Sequence, residues 1–532
     1  MTRSPQLARV LRAWHLARWC RHRGLPAREA LARQQEAAAA ISRREFLGAA
    51  GTAVAAAAAH AAVGSPALLA AAPRVAIVGG GLAGLACADR LQAKGIQAVV
   101  YEAGSRLGGR CFSNPSLVPG MVCEKGGELI DTGHKTMLRY ANEFDLTLES
   151  YVKKRAEERF WFHGRAWSDE DVVDEFREVV AAMQDDLHAI SGSATAASHN
   201  AADVALDHTD LATYFATRTT GHPLIEAVLN ETYVAEFGLE TSQQSALNFI
   251  GFMRLNKQSK FEPFGVSDER FHLIDGNDGI VRGLEQKLRG PIVKGARLTR
   301  LARAASGEYR LHFNDSPQAD IADAVVLALP FSVLQLVALD ASLALSPAKV
   351  HAIDTLGYGT NAKTMVAFNG RPWEELHDAG GGVYADLPGM QATWESNRGR
   401  AGRFGIITDY ASGERGAALK LGQLQTQVGA FLDGFDVVLP GTKARAATIG
   451  AGYRAHLEHW PSNPLSLGSY TCYTPGQFTG VAGLEGEPSG LIKFAGEHTD
   501  SFYSWQGFME GACLSGIRAA NEILADIKSG AL

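Results

Sequence analysis

The sequence predicts an α/β protein, and three stretches carry that prediction. Residues 74–110, RVAIVGGGLAGLACADRLQAKGIQAVVYEAGSRLGGR, read as strand, tight turn, helix and strand. Residues 272–288, HLIDGNDGIVRGLEQKL, open a helix after a Gly/Asn/Asp turn, and IADAVVLALP (321–330) is a dense apolar run ended by proline, as suits a buried strand. Residues 490–524, GLIKFAGEHTDSFYSWQGFMEGACLSGIRAANEIL, read as strand, loop and a long helix with apolar residues at helical spacing from Met509 to Leu524.

The elements of the first stretch have separate jobs. Val75 to Val78 is a short strand; Gly79-x-Gly81-x-x-Gly84 then leads into a helix carrying Leu85, Ala86, Ala88 and Leu91. Gln97 to Tyr101 is a second buried-type strand, ended by Glu102. Such glycines allow a tight turn, a close approach of backbone to pyrophosphate, and close helix–strand packing. The helix N-terminus offers unpaired N–H groups to phosphate. Glu102, 23 residues after Gly79 and followed by Ala103, is placed to accept ribose hydroxyls. Ser105-Arg106-Leu107-Gly108-Gly109-Arg110 follows almost at once. A nicotinamide dehydrogenase has no need of this second Gly-Gly-Arg turn, whereas in glutathione-reductase-like flavoproteins it brings an arginine and backbone amides to the FAD pyrophosphate. FAD is the cofactor expected.

Further along, EKGGELI (124–130) gives another Gly-Gly turn, and residues 134–149 have the pattern of a short amphipathic helix. Residues 150–260 read as mostly helical, with aromatics such as Trp161, Phe162, Trp167 and Tyr233 assigned to the core, and residues 190–202 read as a loop. NAKTMVAF (361–368) alternates as a strand, with Lys363, Met365 and Ala367 on one face.

SRREFLG (42–48) stands before an alanine-rich apolar run, Ala49 to Val63, too short to span a membrane. A basic region, a short apolar core and small residues after it (Gly64, Ser65, Ala67, Ala70 to Ala72) read as a cleaved signal. Ser42-Arg43-Arg44-x-Phe46-Leu47 resembles the twin-arginine export signal, which moves chains already folded. That suits a protein that takes up FAD in the cytoplasm. Residues 1–72 are therefore expected to be a leader, and the protein periplasmic or secreted, with the twin-arginine translocation machinery as a partner. Forty residues before the arginines is long for such a region. The chain has 51 basic and 57 acidic residues; after residue 72 there remain 41 and 54, a net charge of −13. So acidic a surface argues against nucleic acid and anionic lipid and mildly favours cationic small molecules. Cys87, Cys111, Cys123, Cys472 and Cys513 are scattered without CxxC spacing, and no HxH or HExxH occurs, so neither a disulfide scaffold nor a metal site is expected.

Taken together, VAIVGGGLAGL…YEAGSRLGGR near the start and FAGEH…WQGFMEGA…SGIRAANEI near the end resemble the flavin-dependent amine oxidases, the superfamily of monoamine, polyamine and L-amino-acid oxidases. The resemblance covers about residues 73 to 528. It implies a glutathione-reductase-like FAD-binding Rossmann domain (73–140, 268–355 and 463–530) interleaved with an α+β substrate domain (141–267 and 356–462). It also implies that Gly79, Gly81, Gly84, Glu102, Arg110, Gly127 and Glu128 line the adenine, ribose and phosphate end. Val293 resembles the residue whose backbone holds the adenine; Gly496, Glu497, Gly507 and Met509 would lie along the ribityl chain and flavin ring.

Lys363 matches the family lysine that holds a water near flavin N5 and assists reoxidation. Tyr470 matches one member of an aromatic pair enclosing the substrate amine. The second member, usually tyrosine, is here Phe508. Trp460 resembles the tryptophan flanking the lysine's water site, and Trp505 fills a tryptophan position two residues before Gly507. Members with covalent FAD carry cysteine where Ser469 stands, so noncovalent FAD is implied. The reaction implied is oxidation of an amine C–N bond to an imine, hydrolysed to an aldehyde and ammonia or amine, with O2 as acceptor giving H2O2. An L-amino-acid oxidase would need an arginine to clamp the substrate carboxylate; Arg254, Arg282 and Arg371 are candidates, and Glu236 and Asp500 are candidate tunnel carboxylates for a polyamine. Rival readings are delivery of electrons to a cytochrome, a carotenoid or porphyrinogen desaturase, and a non-catalytic scaffold. A homodimer is the assembly expected.

Overall fold

A computed structural model describes residues 5–34, 73–151, 157–255 and 268–532. SRREFLG and the alanine run behind it lie outside these residues.

Five parallel strands form one sheet in the order Ile492–Phe494, Ala324–Leu327, Val75–Val78, Val99–Glu102, Ile292–Lys294. Val75–Val78 and Ala324–Leu327 are buried at every position, which is why they read as unbroken apolar runs. The helices Leu82–Gln92 and Met509–Ser529 pack on each other beside this sheet. Their approach is set by Gly516, where a Cβ would stand 2.0 Å from the Ala83 carbonyl oxygen.

A second, seven-stranded sheet has the order Ala455–His459, Ala362–Asn369, Phe404–Ala411, Ala392–Glu395, Ala379–Ala385, Glu157–Phe162, Arg165–Trp167. Its pairings are antiparallel except that of Ala379–Ala385 with Glu157–Phe162. Both faces of Ala362–Asn369 are covered. Met365 and Ala367 join a cluster with Leu117 and Val118, while Val366 and Phe368 pack with Trp373 and Phe435.

Residues 150–260 differ from the helical expectation at their start. Glu157–Phe162 and Arg165–Trp167 form a hairpin, turned by His163 and Gly164 at φ of 55° and 75°. The aromatic run Phe160-Trp161-Phe162 suits a pleated, half-buried surface, and sheet pairing overrides any helical pattern. Helices follow, among them Asp169–Ala182, started by a capping box of Ser168 and Asp171, and Pro223–Phe237.

Residues 5–34, expected to begin a detachable leader, are packed into this half of the molecule. The helix Pro5–Arg23 lies against Asp169–Ala182 and Pro223–Phe237, and Trp14 is fully buried. All six cysteines are buried, and none forms a disulfide. Among the described residues, no helix is long and apolar enough to cross a membrane.

Candidate active site

A continuous cavity starts at the carboxyl ends of the parallel strands, where Gly79, Glu102, Ala328 and Gly496 follow or end their strands, and runs on to residues of the seven-stranded sheet. Open α/β sheets place ligands at those strand ends. At this end the wall is mostly backbone. Gly79 has φ +111°, and a Cβ there would lie 2.4 Å from the Ala328 carbonyl oxygen. A Cβ on Gly84 would lie 1.9 Å from the Gly79 oxygen, whereas at Gly81 it would project into open space in the cavity wall. The Glu102 carboxylate is aimed by two amides, accepting from Gly80 N–H at 2.8 Å and Gly104 N–H at 2.6 Å, and Ala103 lines the cavity beside it. The Gly108 N–H donates to the Gly80 carbonyl at 2.8 Å, which locks the second glycine turn onto the first. Arg110 lines the cavity and donates to Glu497 Oε1 at 2.8 Å and the Ser469 carbonyl at 2.7 Å, tying that turn to the C-terminal loop. A glycine bordering open space in the wall, two glycines that let the backbone fold close, a helix N-terminus and an aimed carboxylate fit a flavin dinucleotide.

The Val293 side chain does not line this cavity. It lies on the edge strand Ile292–Lys294 and is 40% exposed, and Ala296, Arg297 and Leu298 form the wall in its place. The chain turns back at Gly295 (φ +75°), so the residues after that turn face inward.

The far end is built from side chains. Lys363 is 5% exposed, and its ammonium donates to Glu128 Oε2 at 2.7 Å, the Gly126 carbonyl at 2.8 Å and the Glu124 carbonyl at 3.3 Å. Three N–H groups thus meet three acceptors. Glu128, expected at the phosphate end, is instead the partner of Lys363, and its other oxygen accepts from Trp394 Nε1 at 3.0 Å. Gly127 belongs here too, since a Cβ on it would strike Met509 Cγ at 2.7 Å. The Glu124 carboxyl, held by Asn277 N–H and Ser113 Oγ, is pushed up to about 8 by burial. Trp460 lines the cavity and donates to the Lys125 carbonyl at 3.0 Å, and a Cβ on Gly126 would lie 1.8 Å from the Arg110 carbonyl oxygen and 3.1 Å from the Trp460 ring.

Tyr410 stands opposite Lys363 across the antiparallel pair and meets Trp394 edge to face at 5.3 Å. Its hydroxyl lies 2.9 Å from that of Tyr470, which donates to the Glu236 carbonyl at 2.7 Å. Gly507 (φ +86°), Phe508 and Met509 line the same wall, with Phe508 in extended conformation at the start of the final helix. Trp505 is not part of it. Its ring sits behind, edge-on to the buried His134 at 4.5 Å and 5.6 Å from Phe508, while the Trp505 backbone N–H donates to the Asp500 carboxylate at 3.0 Å. Burial holds His134 neutral, pushed down to about 3. Asp500 is therefore a loop anchor, not a tunnel carboxylate.

Asp131 and Glu269 supply carboxylates to the cavity wall, the Glu269 N–H donating to Asp131 Oδ1 at 2.8 Å. Burial, and then the Asp131 carboxylate, push the Glu269 carboxyl well up. The candidate arginines lie elsewhere: Arg282 pairs with Asp278 on the surface, and Arg371 pairs with Glu395 beyond the far end of the Lys363 strand. The Arg254 side chain lies outside the described residues. Asp131, Glu269, Trp394 and Tyr410 were not singled out by sequence, because each belongs to no motif and reaches the cavity through strand register or a loop.

A dinucleotide-type cleft joined to a lysine and aromatic chamber defines a flavin-dependent oxidoreductase. The profile of the family described as flavin containing amine oxidoreductase matches residues 82–524, and the chain belongs to that family. An L-amino-acid oxidase of Siganus canaliculatus is 24% identical over 477 residues, covering 84% of this chain and 85% of the other. A putative L-amino-acid oxidase of Bacillus subtilis is 22% identical over 467 residues, covering 84% and 94%. Among solved structures, cyclohexylamine oxidase of Brevibacterium oxydans IH-35A superposes with a TM-score of 0.72 at 17% identity, covering 86% of this chain and all of the other. Putrescine oxidase bound to putrescine gives 0.70 at 17%, covering 85% and 99%. The protein is an amine oxidoreductase that uses a flavin.

Proposed function

We propose that this enzyme holds FAD noncovalently and oxidises a primary or secondary amine to an imine, which hydrolyses to an aldehyde and ammonia or a smaller amine, with O2 reduced to H2O2. Bound FAD supplies the acceptor for a hydride equivalent from the amine α-carbon and relays the two electrons to O2. The observation that carries the choice of substrate is the pair Asp131 and Glu269 in the cavity wall, together with the aromatic faces of Tyr470 and Phe508. The Asp131 carboxylate attracts a protonated amine, the raised, protonated Glu269 carboxyl beside it offers a hydrogen bond, and aromatic faces orient the substrate. The arginines lining the cavity already have partners: Arg106 donates to the Gly109 carbonyl, Arg110 to Glu497, and Arg297 to the Pro464 carbonyl.

Tyr470 is fixed through its hydroxyl, leaving the ring as the part that meets substrate. Lys363 assists reoxidation by holding a water, and the contact that water replaces is the longest of the three, to the Glu124 carbonyl. Noncovalent FAD is supported by Ser469, whose hydroxyl bonds Asn361 at 2.5 Å, and by Cys472, which lies outside the cavity wall. The twin-arginine resemblance supports export of the folded, FAD-loaded protein to the periplasm or beyond.

A second reading, an L-amino-acid oxidase giving a 2-oxo acid, is favoured by the names of the sequence relatives. A visible spectrum of the purified protein, taken anaerobically with mono- and diamines and then with L-amino acids, separates the two. Bleaching of a flavin band by amines is the expected result. Bleaching by L-amino acids alone transfers the assignment to the second reading, and no flavin band after reconstitution with FAD defeats both.

A further inference from the structure

The helix Pro5–Arg23 precedes the SRREFLG sequence, yet it is built like a part of the folded body. Trp14 is 0% exposed, with its ring 5.4 Å from Phe176 on the helix Asp169–Ala182. Leu11, Leu16, Ala17 and Cys20 are buried in the same core. Residues 27–34 are helical and add Ala27 and Ala30 to it.

Polar contacts reinforce the docking. Arg9 is 8% exposed; its guanidinium pairs with Glu158 at 3.4 Å and with Asp169, and lies 3.8 Å over the Phe160 ring. It also lies 5.5 Å from the Tyr384 ring, so one side chain ties the helix to two strands of the seven-stranded sheet. Arg12, on the same helix, acts electrostatically on both Tyr384 and Glu269, the latter a cavity-wall carboxylate. The basic region of an export signal has only to be positively charged. A fully buried tryptophan and a desolvated, doubly paired arginine are costly to expose and belong to a fold.

We propose that residues 5–34 stay bound to the substrate-side half of the working enzyme, so that a cut anywhere between residues 34 and 73 yields a two-chain protein and does not shed a leader. The partner for the groove between Glu157–Phe162 and Asp169–Ala182 is thus this chain's own N-terminal segment. The proposal rests on the docking and holds whether or not the protein is exported or oxidises an amine.

The test uses the full chain with a site-specific protease sequence inserted between residues 34 and 73. After cleavage, gel filtration with mass spectrometry is expected to show the N-terminal piece co-eluting one to one with the body at low and high salt, with the flavin spectrum unchanged. In R9A/W14A the piece is expected to appear free at more than tenfold the wild-type fraction. Should that variant fail to fold, the cut wild-type protein decides alone. Separation of the wild-type piece, with the body keeping its melting temperature and spectrum, would overturn the proposal.

Discussion

The two ends of the cavity are made of different material. At the strand ends of the parallel sheet, amides and glycine gaps do the recognising, and Glu102 is the main side chain, itself aimed by two N–H groups. Around Lys363, side chains from five separate segments meet, and the connection runs Lys363, Glu128, Trp394, Tyr410, Tyr470. A backbone-built site tolerates almost no added atoms but is indifferent to most neighbours. A side-chain-built site depends on each partner being present, because a buried charge or donor left alone is expensive.

Substitutions can sharpen that contrast. The largest effect is expected for Gly84→Val, which forces atoms into the Gly79 carbonyl; the purified protein should retain no flavin, read from its absorbance. If G84V kept its flavin, the first end would not be a backbone cradle. Next is Lys363→Met. Stopped-flow reoxidation by O2 should slow by about a hundredfold, while anaerobic reduction by amine keeps its rate. Unchanged reoxidation would remove Lys363 from that role. Glu128→Gln leaves the Lys363 ammonium without its carboxylate and should cost about 3 kcal/mol in denaturant unfolding.

Smaller still is a pH effect. The Glu124 carboxyl is raised to about 8, so the stability from its protonated form is complete below the ordinary carboxylate range and is lost as pH climbs to 8. Thermal stability should fall over that interval, by about 1 kcal/mol per pH unit, and E124Q should flatten the fall. A profile rising with pH, or one E124Q leaves alone, would contradict the protonated state. Val293→Ala should be nearly silent, within about 0.5 kcal/mol and with unchanged FAD affinity by titration, whereas Leu298→Asp should weaken FAD binding.

The same contrast explains what the sequence made legible. Gly79, Gly84 and Glu102 sit within one strand–turn–helix–strand unit, where local spacing determines local geometry, and the α/β fold follows from such units. Lys363 is legible because the segment NAKTMVAF resembles the family strand that carries the lysine, and it places a charge among apolar neighbours. Tyr410, directly opposite it, needs the register of two strands more than forty residues apart, which no single-chain pattern contains. Glu128 falls at the lysine end rather than the phosphate end that the resemblance implies, where Gly127 makes room for Met509 and Gly126 for the Arg110 carbonyl. The docking of the helix Pro5–Arg23 is not legible, because Arg9 finds its partners Glu158 and Asp169 about 150 residues away.

The six cysteines acquire a meaning from this chemistry. Peroxide attacks thiolate sulfur, and burial drives the Cys87, Cys111, Cys123 and Cys513 thiols upward, so they stay protonated as well as out of reach. Under the proposed reaction, which releases H2O2, the enzyme would thereby carry these four thiols in a form the peroxide leaves alone. Its working life would then be limited by something other than thiol oxidation.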